Sequence, residues 1–269
     1  MYRKNLKLIG ILFLLMLFFI PGTSVASGLF GSPQPLAREE GGLSTAIGFG
    51  HHEDKFERDS DSYTIRQNQV YSQVAYGARH IWEVYGRIGM ADLEIDDAFR
   101  PAASSITSSH NDFEENEKFF AALGAKAFYP FNGTFGIGVF VQGYYSFDNF
   151  SDEVSGIRNG TPYRTELKVK ELWDVRSGIG LQAKAPCGVV LYIGPYVYYS
   201  EAKISPSHRI SGLGLASENA TLKNKTEVGG YAGMQIPLGK GFSLNVEGQY
   251  SERFSIAAAI TYTYQNRER

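Results

Sequence analysis

After residue 40, apolar and polar residues alternate with a period of two, and helical spacing is hard to find. The tract WEVYGRIGMADLE at 82–94 sets the theme. Trp82, Val84, Gly86, Ile88 and Met90 share one parity, and Glu83, Tyr85, Arg87, Gly89 and Ala91 share the other. Successive side chains of a strand point to opposite faces, so the tract predicts a strand with one oily and one polar face. The same division recurs. Val70, Val74, Tyr76 and Ala78 oppose Tyr71, Gln73, Gly77 and Arg79, and Phe119, Ala121, Leu123 and Ala125 oppose Phe120, Gly124 and Lys126. Over 167–184, Leu167, Val169, Trp173, Val175, Ile179, Leu181 and Ala183 alternate with Lys168, Lys170, Asp174, Arg176, Gln182 and Lys184. Near the end, Phe242, Leu244, Val246 and Tyr250 oppose Ser243, Asn245, Glu247 and Gln249, and Phe254, Ile256, Ala258 and Ile260 oppose Ser255, Ala257, Ala259 and Thr261.

Ten such segments lie near 42–56, 64–79, 82–95, 117–129, 134–148, 165–185, 188–203, 222–237, 242–251 and 253–264. Short connections follow the second, fourth, sixth and eighth segments; long polar ones, at 96–116, 149–164 and 204–221, follow the third, fifth and seventh. A soluble sandwich has no reason to enforce this alternation, whereas an outer-membrane barrel has tight periplasmic turns and longer extracellular loops. A sheet crossing lipid must close, because an open edge leaves backbone groups unsatisfied at several kcal/mol each. An even strand number puts both termini on one side. Tyr129, Phe131 and Phe135 at a short turn, and Tyr144, Tyr145, Phe147 and Phe150 before a long loop, read as interfacial girdles. The expected fold is all-β: a closed antiparallel up-and-down transmembrane barrel of about ten strands, oily parity outward and charged parity inward.

Composition adds an address. Arg3, Lys4 and Lys7 precede an apolar run from Leu8 to Ile20, then Pro21, Gly22 and the small residues of Ser24-Val25-Ala26. That run is shorter than the roughly 18 residues of a membrane helix and reads as a secretory signal cleaved after Ala26. The expected organisation is a signal at 1–26, a flexible segment at 27–40 and the barrel at 41–269. Removing three basic residues leaves 23 basic against 28 acidic side chains, a net charge of −5, which argues against a nucleic-acid partner. Cys187 is the only cysteine, so no intramolecular disulfide forms and thiolate metal sites are excluded.

The signal, the YGRIGMADLE strand, the Gly-rich hairpins and the closing FSIAAAITYTY strand resemble the small bacterial outer-membrane β-barrel superfamily of OmpA-type, OmpX-like and opacity-protein barrels. The resemblance spans nearly the whole mature chain. It implies a Gram-negative outer membrane, contact with its lipid and lipopolysaccharide, insertion by the assembly machinery, and roles in passive transport or surface contact. Eight strands, the commoner number in that superfamily, is the alternative to ten.

The inward parity supplies the candidate lumen charges Arg79, Glu83, Arg87, Lys126, Lys168, Lys170, Asp174, Arg176, Lys184, Lys223, Lys225, Glu227 and Glu247. Two readings compete. Either these groups pair and plug the lumen in a barrel with a structural or surface-interaction role, or their basic excess lines a narrow pore for small solutes or anions. A lipid-modifying enzyme is a third reading, but no catalytic residue stands out. His110 beside Ser108, Ser109 and Asp112, and His208 beside Ser207, lie in long loops. His51 and His52 of the HHED run point to opposite faces of a strand, so no metal or cofactor is expected. Gly86-Arg87-Ile88-Gly89 lies within an alternating strand with no helix after it and is not a phosphate loop. Extracellular ligands, if any, are expected at the three long loops.

Overall fold

The alternating segments become long antiparallel strands in a computed structural model, which describes residues 29–36, 41–58, 61–99, 106–210, 220–224 and 228–264. In chain order they are β1 (Gly42–Arg58), β2 (Asp61–Ala78), β3 (Trp82–Ile95), β4 (Ile106–Ser108), β5 (Phe113–Pro130), β6 (Phe135–Ser146), β7 (Phe150–Arg158), β8 (Thr161–Lys184), β9 (Val190–Ile210), β10 (Ala220–Asn224), β11 (Val228–Gly239), β12 (Phe242–Tyr250) and β13 (Phe254–Thr263). Ten form a ring in the order β1, β2, β3, β5, β6, β8, β9, β11, β12, β13. It closes where β13 pairs with β1, from Ser44↔Thr263 to His51↔Ile256. Closure leaves no strand edge to lipid, the condition for a sheet to span a membrane.

Outside the ring, the oily parity is bare. Ile47, Val70, Ile88, Leu123, Leu181 and Ile193 are each about half exposed or more. At the short-turn end Tyr76 lies beside Trp82, Tyr129 beside Phe131, and Phe242 beside Tyr262. At the other end Tyr145 meets Phe147 and Trp173 meets Tyr199. These two girdles bound an apolar band; of the residues expected in them, Tyr145 and Phe147 face outward, whereas Tyr144 and Phe150 are turned inward and buried.

The strands do not stop there. About 10 residues cross the apolar band, whereas β8 has 24 and β9 has 21. The surplus forms an exoplasmic tier, in which the interior is apolar: Phe56, Ile65, Leu93, Ile95, Phe113, Val154, Val169, Ile204 and Leu222 pack together. Two of the three short strands help to close this tier. β10 pairs with β9 on one side and with β1 on the other, replacing β11–β13 above the membrane. β7 pairs along β8 and carries β4 on its far edge. The regions expected as loops at 96–116, 149–164 and 204–221 therefore hold three strands and the ends of β5, β8 and β9, a correction to the sequence reading. From these regions Phe113, Phe150, Val154 and Ile204 point into the tier, while polar neighbours such as Glu114 and Ser151 are exposed.

Two bulges correct the parity. The β8–β9 register shifts between Lys170 and Trp173, and Glu171 there has a φ of 51°. One extra residue reverses every side chain beyond it. Val169 is therefore buried inside and Leu167 packs against the same cluster, while Lys168 and Lys170, expected in the lumen, face out. A second shift faces the β3 residues Ala91 and Leu93, opposite Lys118 and Glu115, and turns Phe113 inward. Arg79 leaves the lumen for another reason: it sits in the β2–β3 turn with a φ of 54° and is exposed. Lys184 keeps the inward parity but is exposed at the periplasmic end of β8, and Lys223 lies on β10 with its ammonium 6.0 Å from the Tyr199 ring. Glu227, Lys225 and the signal at 1–26 lie outside the described residues, as do 27, 28 and 37–40.

Candidate functional site

Residues 29–36, within the stretch expected as a flexible lead-in, run inside the lumen from its middle towards the short-turn mouth. Phe30 is fully buried and stacks on Phe140 with ring centroids 4.2 Å apart, with Tyr196 and Tyr231 meeting it edge-on at 5.1 and 5.3 Å. Glu247 is completely buried and its two oxygens accept the backbone N–H groups of Phe30 and Gly31, each at 2.9 Å. Gly31 suits this turn because its φ of 76° is strained for any residue with a Cβ. Below it, Gln182 accepts from the Ser32 hydroxyl and the Gln34 N–H and donates to the Gln34 side chain. Pro33 lies against Gly138 and Gly180 of the wall, where a Cβ would meet its ring at 2.8 and 2.6 Å. His80, in the β2–β3 turn, donates from Nδ1 to the Pro35 carbonyl at 2.6 Å. The space left beside the segment is about 30 Å³, room for about two waters.

Above and around the segment lie the lumen charges, in two connected groups. Arg87 donates to Gln73 at 2.6 Å, to Gln142 at 2.9 Å and to the Leu29 carbonyl, with the Tyr71 and Tyr85 rings 4.8 and 4.9 Å from its guanidinium. Glu83 is paired with Lys126, its register partner on β5, at 3.6 Å, and Lys126 also donates to the Ser32 carbonyl. Arg176 is almost fully buried. It pairs with Asp174 at 3.3 Å, donates to His52 Nε2 at 3.1 Å and to Gln249, and has the Tyr198 ring 5.3 Å away. The Tyr198 hydroxyl donates to Asp54 at 2.9 Å. Gln249 links the groups, since its amide nitrogen donates to Glu247 at 2.8 Å. Buried charges are tolerated when each has such partners, and removing one partner costs more than the pair contributes.

Of the candidate lumen charges, Glu83, Arg87, Lys126, Asp174, Arg176 and Glu247 converge inside the barrel. Arg79, Lys168, Lys170 and Lys184 do not, and Glu227 is outside the described residues. Within the lumen the cations Arg87, Lys126 and Arg176 face the carboxylates Glu83, Glu247, Asp54 and Asp174, so the expected basic excess is absent among the described residues. The candidate lumen charges left out Asp54, which was weighed only within the HHED run, and the neutral Gln142, Gln182 and inward tyrosines, whose parity was available in the sequence. Sequence reasoning also missed His80, whose role depends on a chain segment 45 residues away.

In the exoplasmic tier His110 keeps one of its sequence neighbours, Ser109, as a partner and finds its carboxylate in Asp152 rather than Asp112. His110 contacts the Ser109 hydroxyl through Nδ1 and the Asp152 carboxylate through Nε2, each at 3.2 Å. Asp152 also accepts the Glu114 N–H, and the Ser109 N–H is bonded to the Ser155 carbonyl. These exposed contacts fasten the residues after β4 to β7. Cys187 is exposed in the β8–β9 turn.

No protein-family model matches the chain, and no curated protein matches it in sequence. Among solved structures it aligns with the outer-membrane protease OmpT of Escherichia coli at 11 % identity and a TM-score of 0.48, covering 87 % of this chain and 100 % of that one. It aligns with the translocator domain of the autotransporter NalP of Neisseria meningitidis at 11 % identity and 0.42, covering 83 % and 88 %. It also aligns with Ail, the attachment invasion locus protein of Yersinia pestis, at 13 % identity and 0.34, covering 84 % and 99 %. These likenesses are to fold and carry no activity across. With its closed ring, apolar outer band and polar lumen, the chain has the architecture of a small outer-membrane β-barrel.

Proposed function

We propose that this chain is an integral outer-membrane barrel that does not conduct and that acts at the cell surface, in a structural or surface-interaction role. The observation that carries the reading is the filled lumen: residues 29–36 occupy its lower part, fastened through Glu247, Gln182 and Arg87, and paired charges occupy the rest. A path for ions would need these groups to part from one another inside a wall that holds them on several sides. The apolar band is taken up by membrane lipid and lipopolysaccharide, and the outer-membrane assembly machinery is the partner for insertion. Above the band the exterior turns polar, with Arg66 bonded to Glu94 and Asp96. Partners arriving from outside meet this tier and the regions 96–116, 149–164 and 204–221. We assign no catalytic residue and no cofactor.

Planar-bilayer recording tests the reading. The folded protein is expected to give no conductance steps at any voltage. Steps whose size or selectivity changes in Arg87→Ala or Lys126→Ala would replace it with the narrow-pore reading.

A further inference from the structure

The exoplasmic tier is packed with apolar side chains, yet its packing is interrupted on one side by a cavity of about 200 Å³. Ile95 and Phe99 face it from the β3 end, and Leu167, Ile204 and Leu222 face it from β8, β9 and β10. Tyr63, Ala98 and Leu167, which border it, are among the residues left only partly buried against the apolar cluster. Protein interiors are close-packed, and voids larger than a water are few. An apolar void of roughly 150 Å³ takes up a benzene ring and stays dry otherwise. Its place in the fold matters as much as its size: the lumen beneath is polar and occupied, so this chamber is a recess on the outer side and not a section of a channel.

We propose that this chamber binds a small apolar molecule of about the size of a substituted benzene ring, received from the exoplasmic side. The surroundings define the class. Aromatic and branched aliphatic walls reward an uncharged, flat or compact ligand, and Thr165 adds one hydroxyl to the lining. A charged ligand would lose its hydration here without gaining an ion partner, because no charged side chain among the described residues lines the chamber. The inference is independent of whether the lumen conducts, since binding is read in the chamber itself.

Crystals of the mature chain soaked in iodobenzene provide the test, because iodine is located by its anomalous signal. The expected result is a site between Phe99 and Leu222. The lipid-facing wall offers a competing apolar hollow of about 760 Å³ near Phe135, Leu181, Ile193 and Met234. Iodine found only on that outer wall, or nowhere, overturns the proposal. In solution, the fluorine resonance of 4-fluorotoluene is expected to show saturable binding that weakens at least about tenfold in Leu167→Trp, which fills the chamber. If that variant does not yield a folded barrel, Ile204→Phe serves in its place. Unchanged binding in a folded filling variant also overturns the proposal.

Discussion

The membrane band and the exoplasmic tier are built from the same strands with opposite polarity. On β3 the outward residues run Val84, Ile88 and Met90 and then change to Asp92 and Glu94, while the inward ones run Glu83, Tyr85 and Arg87 and then change to Leu93 and Ile95. On β2 the outward residues change from Tyr76, Val74 and Val70 to Asn68 and Arg66, and the inward ones from Gln69 and Gln67 to Ile65. The two changes fall at one level, since Val70 is the register partner of Met90, and Asn68 bonds to Asp92 through both its backbone and side-chain N–H groups. The pleat is unbroken across this line. What changes is the surrounding medium: lipid below makes the outside oily, and water above returns the apolar residues to the inside. On β8 and β5 a bulge accompanies the change instead.

This contrast gives a graded set of expectations. The largest effect is expected inside the exoplasmic tier, where Phe113→Ala, at a fully buried position, removes a ring from an apolar core and costs about 3–5 kcal/mol in reversible unfolding. The same truncation at Phe119, 61 % exposed on the lipid side, should cost much less in detergent, and equal losses would break the comparison. Next comes charge on the band. Leu123→Arg places a guanidinium near mid-membrane and should cost about 2–4 kcal/mol in lipid vesicles.

Glu247→Ala leaves the Phe30 and Gly31 N–H groups without their acceptor, at a cost of about 1–3 kcal/mol for a buried unsatisfied group. Hydrogen exchange of the segment at 29–36 should accelerate accordingly while the strands stay protected; unchanged exchange would mean that the aromatic cage around Phe30 suffices. The smallest effect belongs to the exoplasmic exterior. Glu153→Gln, removing the half-buried partner of the exposed Arg164, should change stability by less than about 1 kcal/mol. The bulge itself can be read by labelling in a Cys187→Ser background: Lys168→Cys should react with a membrane-impermeant maleimide on cells, and Val169→Cys should not.

Much of this was legible along the chain. All ten ring strands, the short-turn end and the inward placement of Glu83, Arg87, Lys126, Asp174, Arg176 and Glu247 follow from period-two alternation, because side-chain direction in a strand is set by backbone geometry alone. Lys168 and Lys170 were misread because a one-residue bulge at Glu171 leaves almost no mark in composition yet reverses all that follows. The polarity change near Met90 and Asp92 was visible in the letters, but reading it as a second medium required knowing that the strands outrun the membrane.

The sequence by itself determined that this chain is a closed barrel, which face of the strands meets lipid within the membrane band, and the inward direction of Glu83, Arg87, Lys126, Asp174, Arg176 and Glu247, since these depend on local alternation and on the cost of open backbone in lipid. Only the tertiary structure decided that residues 29–36 fill the lower lumen, that β10 bridges β9 to β1 above the membrane, and that Arg87 is held between two tyrosines. Each of these rests on contacts between residues far apart in the chain, and no local pattern encodes which distant partner a side chain will find.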